Sequence, residues 1–378
     1  MRIGFFTETY YPTPDGVSHY LHDVKKELEN RGHEVFVFSL SGDKSEANVL
    51  LSPSVPMFVY SQYRWPLNPI PFFLYQKVKS IPLDIIHIHD PFYMGSVGFR
   101  VAKHKKIPVM ATFHTDFIRM KDSIRVPFRE QLFELSWRYN IYLYNRCDLV
   151  TAPSPSAVEF LRKNKISNVV ELPLFVHTDK FKPSVSRENK FVVQYIGRIT
   201  KDKGIYNILD VADNFPRNDG VKFVISGTGP EEEPVKRMIK KMDLQSIVEM
   251  TGYLDEAGKM NALSNASIFL HPSDTDTFGI AVLEAMSCGK PAVVSNRFPL
   301  LNQDSSMNGM IGVDFSNPSE VAKKIMDLKQ NRSEHSDLCG KARKYVSGNY
   351  NASDHALMLE QHYSELISRH KYRSAQMY

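Results

Sequence analysis

The chain has 378 residues, of which 42% are hydrophobic and 24% charged, and its formal net charge is +5. This length is typical of two domains, and the composition is that of a folded, soluble protein that can bury sizeable cores. The charge is mild and no nucleic-acid-binding module is recognisable, so we expect no nucleic-acid partner.

The cysteines and the apolar runs indicate the compartment. Cys147, Cys288 and Cys339 are scattered and odd in number, which argues against a disulfide framework or a thiolate zinc site and fits a reducing environment. Residues 1–6 lead directly into a strand-like pattern without a cleavable signal. No uninterrupted apolar run approaches the roughly 18–20 residues that span a bilayer. We therefore expect a cytoplasmic protein.

In the first half of the chain, apolar runs alternate with segments of helix length. The segment 17–30 reads as a helix that ends at Gly32. The predicted strands are residues 3–7, 35–40, 84–89, 108–114 and 148–152. This alternation is typical of a parallel sheet with helices on both faces.

The same rhythm restarts in the second half, after a polar connection over residues 173–190. The predicted strands there are residues 191–196, 221–226, 247–251, 268–271 and 291–295. The fold class is therefore α/β, with two Rossmann-like doubly wound domains and an interdomain cleft. We place the domains at residues 1–176 and 177–351 and expect a C-terminal helix, 352–378, to pack back on the first. Ligands of such sheets bind at the carboxyl ends of the strands.

Residues 271–286 carry the most chemistry in the chain. A strand leads into a loop and a helix begins near Phe278 and Gly279, where backbone amides form an anion site. Asp276 in the loop and Glu284 in the helix suit a ligand rich in hydroxyl groups, because each carboxylate oxygen accepts hydrogen bonds. The alternative is a helix start that carries acids simply because they are favourable there.

Residues 195–204 place Arg198 and Lys203 after another strand. Two cations at that edge would neutralise a diphosphate and stabilise it as a leaving group. The alternative is a solvated basic loop. The glycine turn at 226–230, which contains Gly227, is weak evidence alone, because such turns mostly satisfy backbone geometry.

Five motifs in order resemble the retaining glycosyltransferases of family four, which have the GT-B fold. They are Pro-x-x-x-Gly at 12–16, Thr-Phe-His-Thr-Asp at 112–116, Ala-Pro-Ser at 152–154, Gly-Arg-x4-Lys-Gly at 197–204, and an acid–x7–Glu segment at 276–284. The resemblance spans nearly the whole chain. It implies transfer of a hexose from a nucleotide-sugar, such as a UDP- or GDP-hexose, to an acceptor hydroxyl.

The resemblance also implies roles for single residues. Arg198 and Lys203 would bind the donor diphosphate, Glu284 the ribose, and Asp276 with the helix-start amides the transferred sugar. His114 would lie beside the reacting sugar; otherwise it is a buried histidine satisfied by the backbone. The implied catalytic residues are His114, Arg198, Lys203 and Asp276. The implied donor-binding residues are Gly16, Arg198, Lys203, Gly227, Leu254, Lys259, Asp276, Phe278, Gly279, Ile280 and Glu284.

The implied mechanism retains the anomeric configuration without a metal or other cofactor, and the departing phosphate takes the acceptor's proton. The chain departs from the family pattern at Asp276, where the family usually has Glu, and at residues 174–177, where the usual Asn-Gly-Val-Asp is missing. The Asp274-x-Asp276 pair mimics a metal site of another glycosyltransferase fold. We discount that site, because its context matches the metal-free family and no further ligands accompany it.

Basic and aromatic residues mix in the first half of the chain. Residues 100–146 contain ten Lys and Arg against four Asp and Glu. Such a mixture suits an anionic membrane interface, and the region resembles the membrane-facing part of diacylglycerol glucosyltransferases and phosphatidylinositol mannosyltransferases. The candidate acceptor and membrane residues are Arg64, Trp65, Asp116, Arg119, Arg125, Arg129 and Arg138. The alternative is that the aromatic side chains are core and the cations a solvated face.

We therefore expect a lipid acceptor and peripheral binding to the inner face of the cell membrane. Three other functions stay open: a glycosyltransferase with a soluble acceptor, a nucleotide-sugar epimerase or hydrolase, and an inactive nucleotide-sugar-binding protein. The last is motivated by the shortened acid at Asp276. The oligomeric state is not predicted.

Overall fold

The computed structural model describes residues 1–13, 16–57, 64–68, 72–114, 129–184, 190–276, 278–301 and 308–375. The chain divides into two compact units. The first takes in the described residues up to Pro173 and the C-terminal segment from Ala352, and the second runs from Leu174 to Asn351. The sequence placed this division after residue 176.

The first unit is built on a parallel sheet. Its elements in chain order are β1 (Arg2–Phe6), α1 (Gly16–Asn30), β2 (Glu34–Ser39), β3 (Val49–Leu51), β4 (Ser54–Pro56), β5 (Arg64–Pro66), α2 (Phe72–Lys79), β6 (Ile85–Ile88), α3 (Tyr93–Lys105), β7 (Val109–Thr112), α4 (Arg129–Tyr144), β8 (Leu149–Ala152), α5 (Pro155–Lys163) and β9 (Val169–Glu171). Seven strands form the order β3-β2-β1-β6-β7-β8-β9, and β4 pairs separately with β5. The residues of β6 and β7 are all buried, as expected for strands covered on both faces.

The second unit repeats this architecture. Its elements are β10 (Phe191–Ile196), a 3₁₀ turn (Lys201–Lys203), α6 (Ile205–Asp213), β11 (Val221–Ser226), α7 (Glu232–Lys241), β12 (Val248–Gly252), α8 (Glu256–Asn265), β13 (Ile268–His271), α9 (Ile280–Ser287), β14 (Ala292–Ser295), β15 (Met310–Val313), α10 (Pro318–Gln330) and α11 (Arg332–Asn349). The parallel sheet has the order β12-β11-β10-β13-β14-β15. The strand order reverses between β10 and β13, so the loops after these two strands flank the position where doubly wound sheets bind ligands.

The C-terminal helix α12 (Ala352–Ala375) belongs to the first unit. Its Tyr363 hydroxyl lies 2.7 Å from His87 Nδ1. His355 Nε2 lies 2.7 Å from the Tyr20 hydroxyl, and His355 Nδ1 lies 2.7 Å from the Pro173 carbonyl oxygen. These buried polar groups satisfy one another, so α12 and the rest of the first unit depend on each other for hydrogen bonding. Within the described part of the chain, no helix has both the length and the apolar character needed to cross a bilayer.

Acidification is expected to destabilise the first unit. Burial lowers the pKa of His355 from 6.5 to about 4, so between these values the unfolded chain binds a proton that the folded unit does not. The stability from this group is present above pH 6.5 and is lost as the pH falls towards 4. The variant His355→Gln should flatten the slope of unfolding free energy against pH by about 1.4 kcal/mol per pH unit in this window.

Guanidinium unfolding followed by tryptophan fluorescence measures this slope, because both tryptophans, Trp65 and Trp137, lie in the first unit. His104→Gln at an exposed position is the control and should follow the wild-type slope. A wild-type slope in His355→Gln would contradict the prediction.

Candidate donor site

Loops from three strands of the second sheet are hydrogen-bonded together at its carboxyl edge. The amide of Ile199, in the loop after β10, donates to the Thr228 carbonyl after β11 at 2.9 Å. Thr275 Oγ1, in the loop after β13, donates to the Asp202 carbonyl at 3.0 Å. Ser273 Oγ donates to the same carbonyl at 3.2 Å. The loops carrying Arg198, Lys203 and Asp276 are therefore fixed against one another.

Gly227 permits the close approach of the loops after β10 and β11. Its φ is +134°, and a Cβ placed there would lie 1.9 Å from the Gly197 carbonyl oxygen. Only glycine fits this conformation and this spacing. The glycine turn thus has a backbone role, and its carboxyl-edge position puts it beside the predicted phosphate-binding loop.

Lys203, Asp276 and His271 form a charged cluster at this edge. Lys203 Nζ donates to Asp276 Oδ1 at 2.6 Å, and His271 Nε2 lies 2.5 Å from Asp276 Oδ2. The side chains of Lys203 and Asp276 are 16% and 17% exposed. Burial by itself raises the pKa of Asp276, but the charges and hydrogen bonds of Lys203 and His271 outweigh it and hold that pKa far below its usual range. The carboxylate is therefore ionised.

Glu284 and Lys259 form a second ion pair. Lys259 Nζ lies 2.8 and 2.9 Å from the two carboxylate oxygens of Glu284, which is almost fully buried in α9. Leu254 lies in the loop after β12 and is partly exposed, and Lys259 lies in the first turns of α8. Arg198 lies on the loop after β10, is 45% exposed, and faces Asp202 at 3.7 Å.

Helix α9 begins where the sequence predicted it, near Phe278 and Gly279. Gly279 is its N-cap in the left-handed conformation, and Ile280 is the first helical residue. Phe278 is buried against the Tyr350 ring. The first amides of a helix have no intrahelical partner and point towards a possible anion.

The two aspartates of the Asp-x-Asp pair have separate partners. Asp274 contacts Ser295 and Arg297, whereas Asp276 contacts Lys203 and His271. Among the residues that the structure describes, no group of three His, Cys, Asp or Glu side chains is placed to hold a metal ion.

In the first unit, His114 follows β7 and is buried. Its Nε2 lies 3.1 Å from His89 Nδ1, so one ring donates a hydrogen bond to the other. Burial, with a smaller contribution from His355, lowers the pKa of His114 to about 3. The ring is therefore neutral near pH 7. Gly16 begins α1, and a Cβ built there meets no described atom within 4 Å.

The structure describes only some of the predicted acceptor residues. Asp116, Arg119 and Arg125 lie outside the described residues, as does the side chain of Arg129 at the start of α4. The Arg64 guanidinium donates to the Ser54 hydroxyl and carbonyl at 2.8 and 2.7 Å, so it fastens β5 to β4. Trp65 is 58% exposed, and exposed Arg138 pairs with Glu134 at 2.7 Å.

Comparison with known proteins decides the family. The chain matches the family described as Glycosyltransferase Family 4 over residues 14–180 and that described as Glycosyl transferases group 1 over residues 176–345. It is 30% identical over 353 residues to the alpha-monoglucosyldiacylglycerol synthase of Streptococcus pneumoniae. This alignment covers 86% of this chain and 78% of the relative. The chain is a member of glycosyltransferase family four.

Other relatives and solved structures of similar fold are consistent with this family membership. A GDP-mannose-dependent alpha-mannosyltransferase of Corynebacterium glutamicum is 25% identical, over 97% of this chain and 90% of the relative. Among solved structures, sucrose-phosphate synthase from Thermosynechococcus elongatus superposes with a TM-score of 0.80 at 18% identity, over 98% of this chain and all of that one. Anabaena HepE, solved with UDP and glucose, superposes with a TM-score of 0.79 at 19% identity, over 96% of this chain and 99% of that one. The predicted family, α/β fold class and enzyme class, a hexosyltransferase, are confirmed.

The sequence pattern of this family-four chain does not reveal two residues that contact predicted site residues, His271 and His89, or a buried acid of the first unit, Glu8. The sequence pattern places His271 at the end of a strand and His89 within one. It does not give the turn of the loop that brings Asp276 back onto His271, nor the contact of His89 with His114, which follows another strand. Glu8 follows β1, accepts a hydrogen bond from the Met94 amide at 2.8 Å, and its pKa is raised to about 8 by burial and by Asp90. No local pattern distinguishes these residues.

Gly227→Ala is expected to destabilise the second unit of the transferase by about 3 kcal/mol or more, because the added methyl overlaps the Gly197 carbonyl at a strained φ. Gly220→Ala is the matched control. Its φ is also positive, +73°, but nothing lies within 4 Å of an added Cβ, so only the conformational cost of about 1–2 kcal/mol applies. Chemical unfolding followed by far-ultraviolet circular dichroism measures both; equal losses would show that the close approach is not fixed.

Proposed function

We propose that the second unit binds a nucleotide-sugar and that the first supplies the acceptor-facing groups for retaining hexosyl transfer. The cluster of Lys203, Asp276 and His271 at the carboxyl edge of the second sheet carries this proposal. Arg198 lies on the same loop as Lys203, and the Lys259–Glu284 pair lies on neighbouring segments. The support from relatives is that HepE was solved with UDP and glucose and that mannosyltransferase relatives are named for GDP-mannose.

The positive groups match the charge that develops on a departing nucleoside diphosphate. Arg198 and Lys203 offer two fixed cations, and the first amides of α9 offer oriented dipoles. Charge supplied in this way takes the place of a bound metal ion, so we propose a metal-independent reaction. The departing phosphate then takes the acceptor's proton on the face from which it leaves.

Two acids would bind hydroxyl groups of the donor. Glu284 would accept hydrogen bonds from the ribose, and Asp276 from the transferred sugar. In the free protein, Lys259 and Lys203 occupy these carboxylates, so the donor replaces internal contacts by its own. Neutral His114 would hydrogen-bond the reacting sugar without adding a charge beside the leaving group.

Lys203→Ala is expected to lower kcat by about 10²-fold or more, because it removes a charge-assisted contact to the leaving group. The matched control is Lys201→Ala on the same 3₁₀ turn, whose side chain is 71% exposed and lies 4.0 Å from Glu231. The assay measures transfer from labelled UDP- and GDP-hexoses, with and without acceptor. Near-normal turnover of Lys203→Ala would remove it from this role, and full donor consumption without acceptor would indicate an epimerase or hydrolase.

We also propose a lipid acceptor and peripheral membrane binding on the cytoplasmic side. Helix α4 carries an exposed apolar stripe at helical spacing, made of Leu132, Leu135, Tyr139 and Tyr142, which are 52%, 67%, 39% and 53% exposed. Arg146 stacks on the Tyr142 ring, with its guanidinium carbon 3.5 Å from the centroid. An apolar stripe flanked by cations suits an anionic bilayer surface. The pneumococcal relative is named for a diacylglycerol product.

Leu135→Asp and Tyr142→Asp are expected to weaken sedimentation with anionic vesicles, because each puts a negative charge on the proposed bilayer-facing stripe. Donor affinity should stay unchanged, since the second unit is untouched. Leu357→Asp on α12, at a residue 41% exposed, is the control. If the α4 variants sediment like the control, helix α4 is not the membrane contact.

A further inference from the structure

The carboxylate of Asp276 is held at both oxygens. Oδ1 accepts from Lys203 and Oδ2 lies against His271. His271 is the last residue of β13, and the loop that follows returns Asp276 to the end of its own strand. The His271 ring is 4% exposed and has two aromatic neighbours, Phe269, nearly parallel with centroids 6.4 Å apart, and Phe298, edge-on with centroids 5.6 Å apart.

The hydrogen-bonding pattern fixes the proton on this ring. Asp276 is ionised and can only accept, so His271 Nε2 carries the hydrogen and donates it. His271 Nδ1 is buried without a partner among the described residues. A buried polar atom without a partner opposes folding. The ring nevertheless stays in this orientation, with its one hydrogen bond directed at Asp276.

We propose that His271 is a positioning residue for Asp276. This rests on the proposed function, in which Asp276 addresses the transferred sugar. When the donor arrives, Lys203 turns to the diphosphate and Asp276 Oδ1 exchanges the ammonium for a sugar hydroxyl. Oδ2 stays on His271 throughout. Oδ1 is thus the oxygen that contacts the ligand. The hydrogen bond from His271 to Oδ2 keeps the orientation of the carboxylate while the Lys203 ammonium moves away.

Three substitutions separate the hydrogen bond from the packing. His271→Phe keeps an aromatic ring beside Phe269 and Phe298 but removes the donor. His271→Gln places an amide near the position of Nε2 and restores the donor, whereas His271→Asn is one methylene too short to reach Asp276. Each is assayed in the full chain, with labelled donor varied at saturating acceptor, alongside Asp276→Ala.

The Phe and Asn variants should lower kcat by about 10²-fold, the scale of a small misplacement at the reacting centre. Donor KM should change less, because Lys203 still binds the diphosphate. His271→Gln should retain most of the wild-type kcat. Circular dichroism and donor binding check that each variant is folded. If His271→Asn fails to fold, the comparison of His271→Phe with His271→Gln still tests the role of the hydrogen bond.

The pH profile gives a readout that packing alone does not move. The charged and titratable groups facing Asp276 are Lys203, His271 and the buried Tyr195 hydroxyl. Removing the His271 donor leaves Lys203 alone to hold the carboxylate ionised. The acid limb of the kcat/KM profile should therefore move to higher pH in His271→Phe and lie at its wild-type position in His271→Gln. A purely structural loss lowers the plateau without moving the limb.

The outcomes distinguish this inference from the function on which it rests. If Asp276→Ala keeps full activity, the proposed role of Asp276 fails. If Asp276→Ala is inactive but Phe and Gln at 271 behave alike, or the acid limb stays in place, His271 is not its positioning residue. Loss in Phe and Asn with rescue by Gln and a shifted limb supports the inference.

Discussion

The proposed donor site depends on two partly buried ion pairs of the second unit, Lys203–Asp276 and Lys259–Glu284. Burying a charge is costly unless a partner and hydrogen bonds compensate it. The free protein meets this requirement internally, because each acid at the sheet edge has a lysine on it. A ligand that brings its own negative and hydroxyl groups can therefore enter by exchange, without leaving any of these four side chains unpaired.

That exchange depends on where the sheet places its loops. Parallel strands present all their carboxyl ends at one edge, and the reversal of strand order between β10 and β13 separates the loops on either side. Hydrogen bonds from Thr275 and Ser273 to Asp202 then fix the separation. The first unit uses the same edge for His114 and His89, which follow β7 and β6. Both units thus place polar side chains at the carboxyl edge of a buried sheet.

Much of this was predictable from the sequence, and the failures have physical causes. Central strands such as β1, β10 and β13 are continuous apolar runs, so they were found together with the loops that follow them. The short strands β3, β9 and β15 lie at or near sheet edges and carry too few apolar residues to stand out. The contact of His89 with His114 joins two separate strands and depends on tertiary structure. The contact of His271 with Asp276 is local, but it depends on a loop that turns back onto its own strand, and no spacing rule gives that turn.

Helix α4 shows a different limit. Its composition suggested either a membrane face or a core, and the structure shows one buried and one exposed set of aromatic side chains. Phe133, Trp137 and Tyr144 are buried, whereas Tyr139 and Tyr142 are exposed on the other side. Composition counts aromatic residues without regard to direction, and only the helical period, once the helix is oriented on its sheet, separates the two sets.

The return of α12 to the first unit has a consequence for synthesis. A ribosome delivers the first sheet complete long before residues 352–375 emerge. Until they do, the nascent first unit lacks the hydroxyl of Tyr363 on His87 and the imidazole of His355 on Tyr20. The whole second unit must be translated, and has time to fold, during this interval. The unit that begins first along the chain is therefore the one that finishes last.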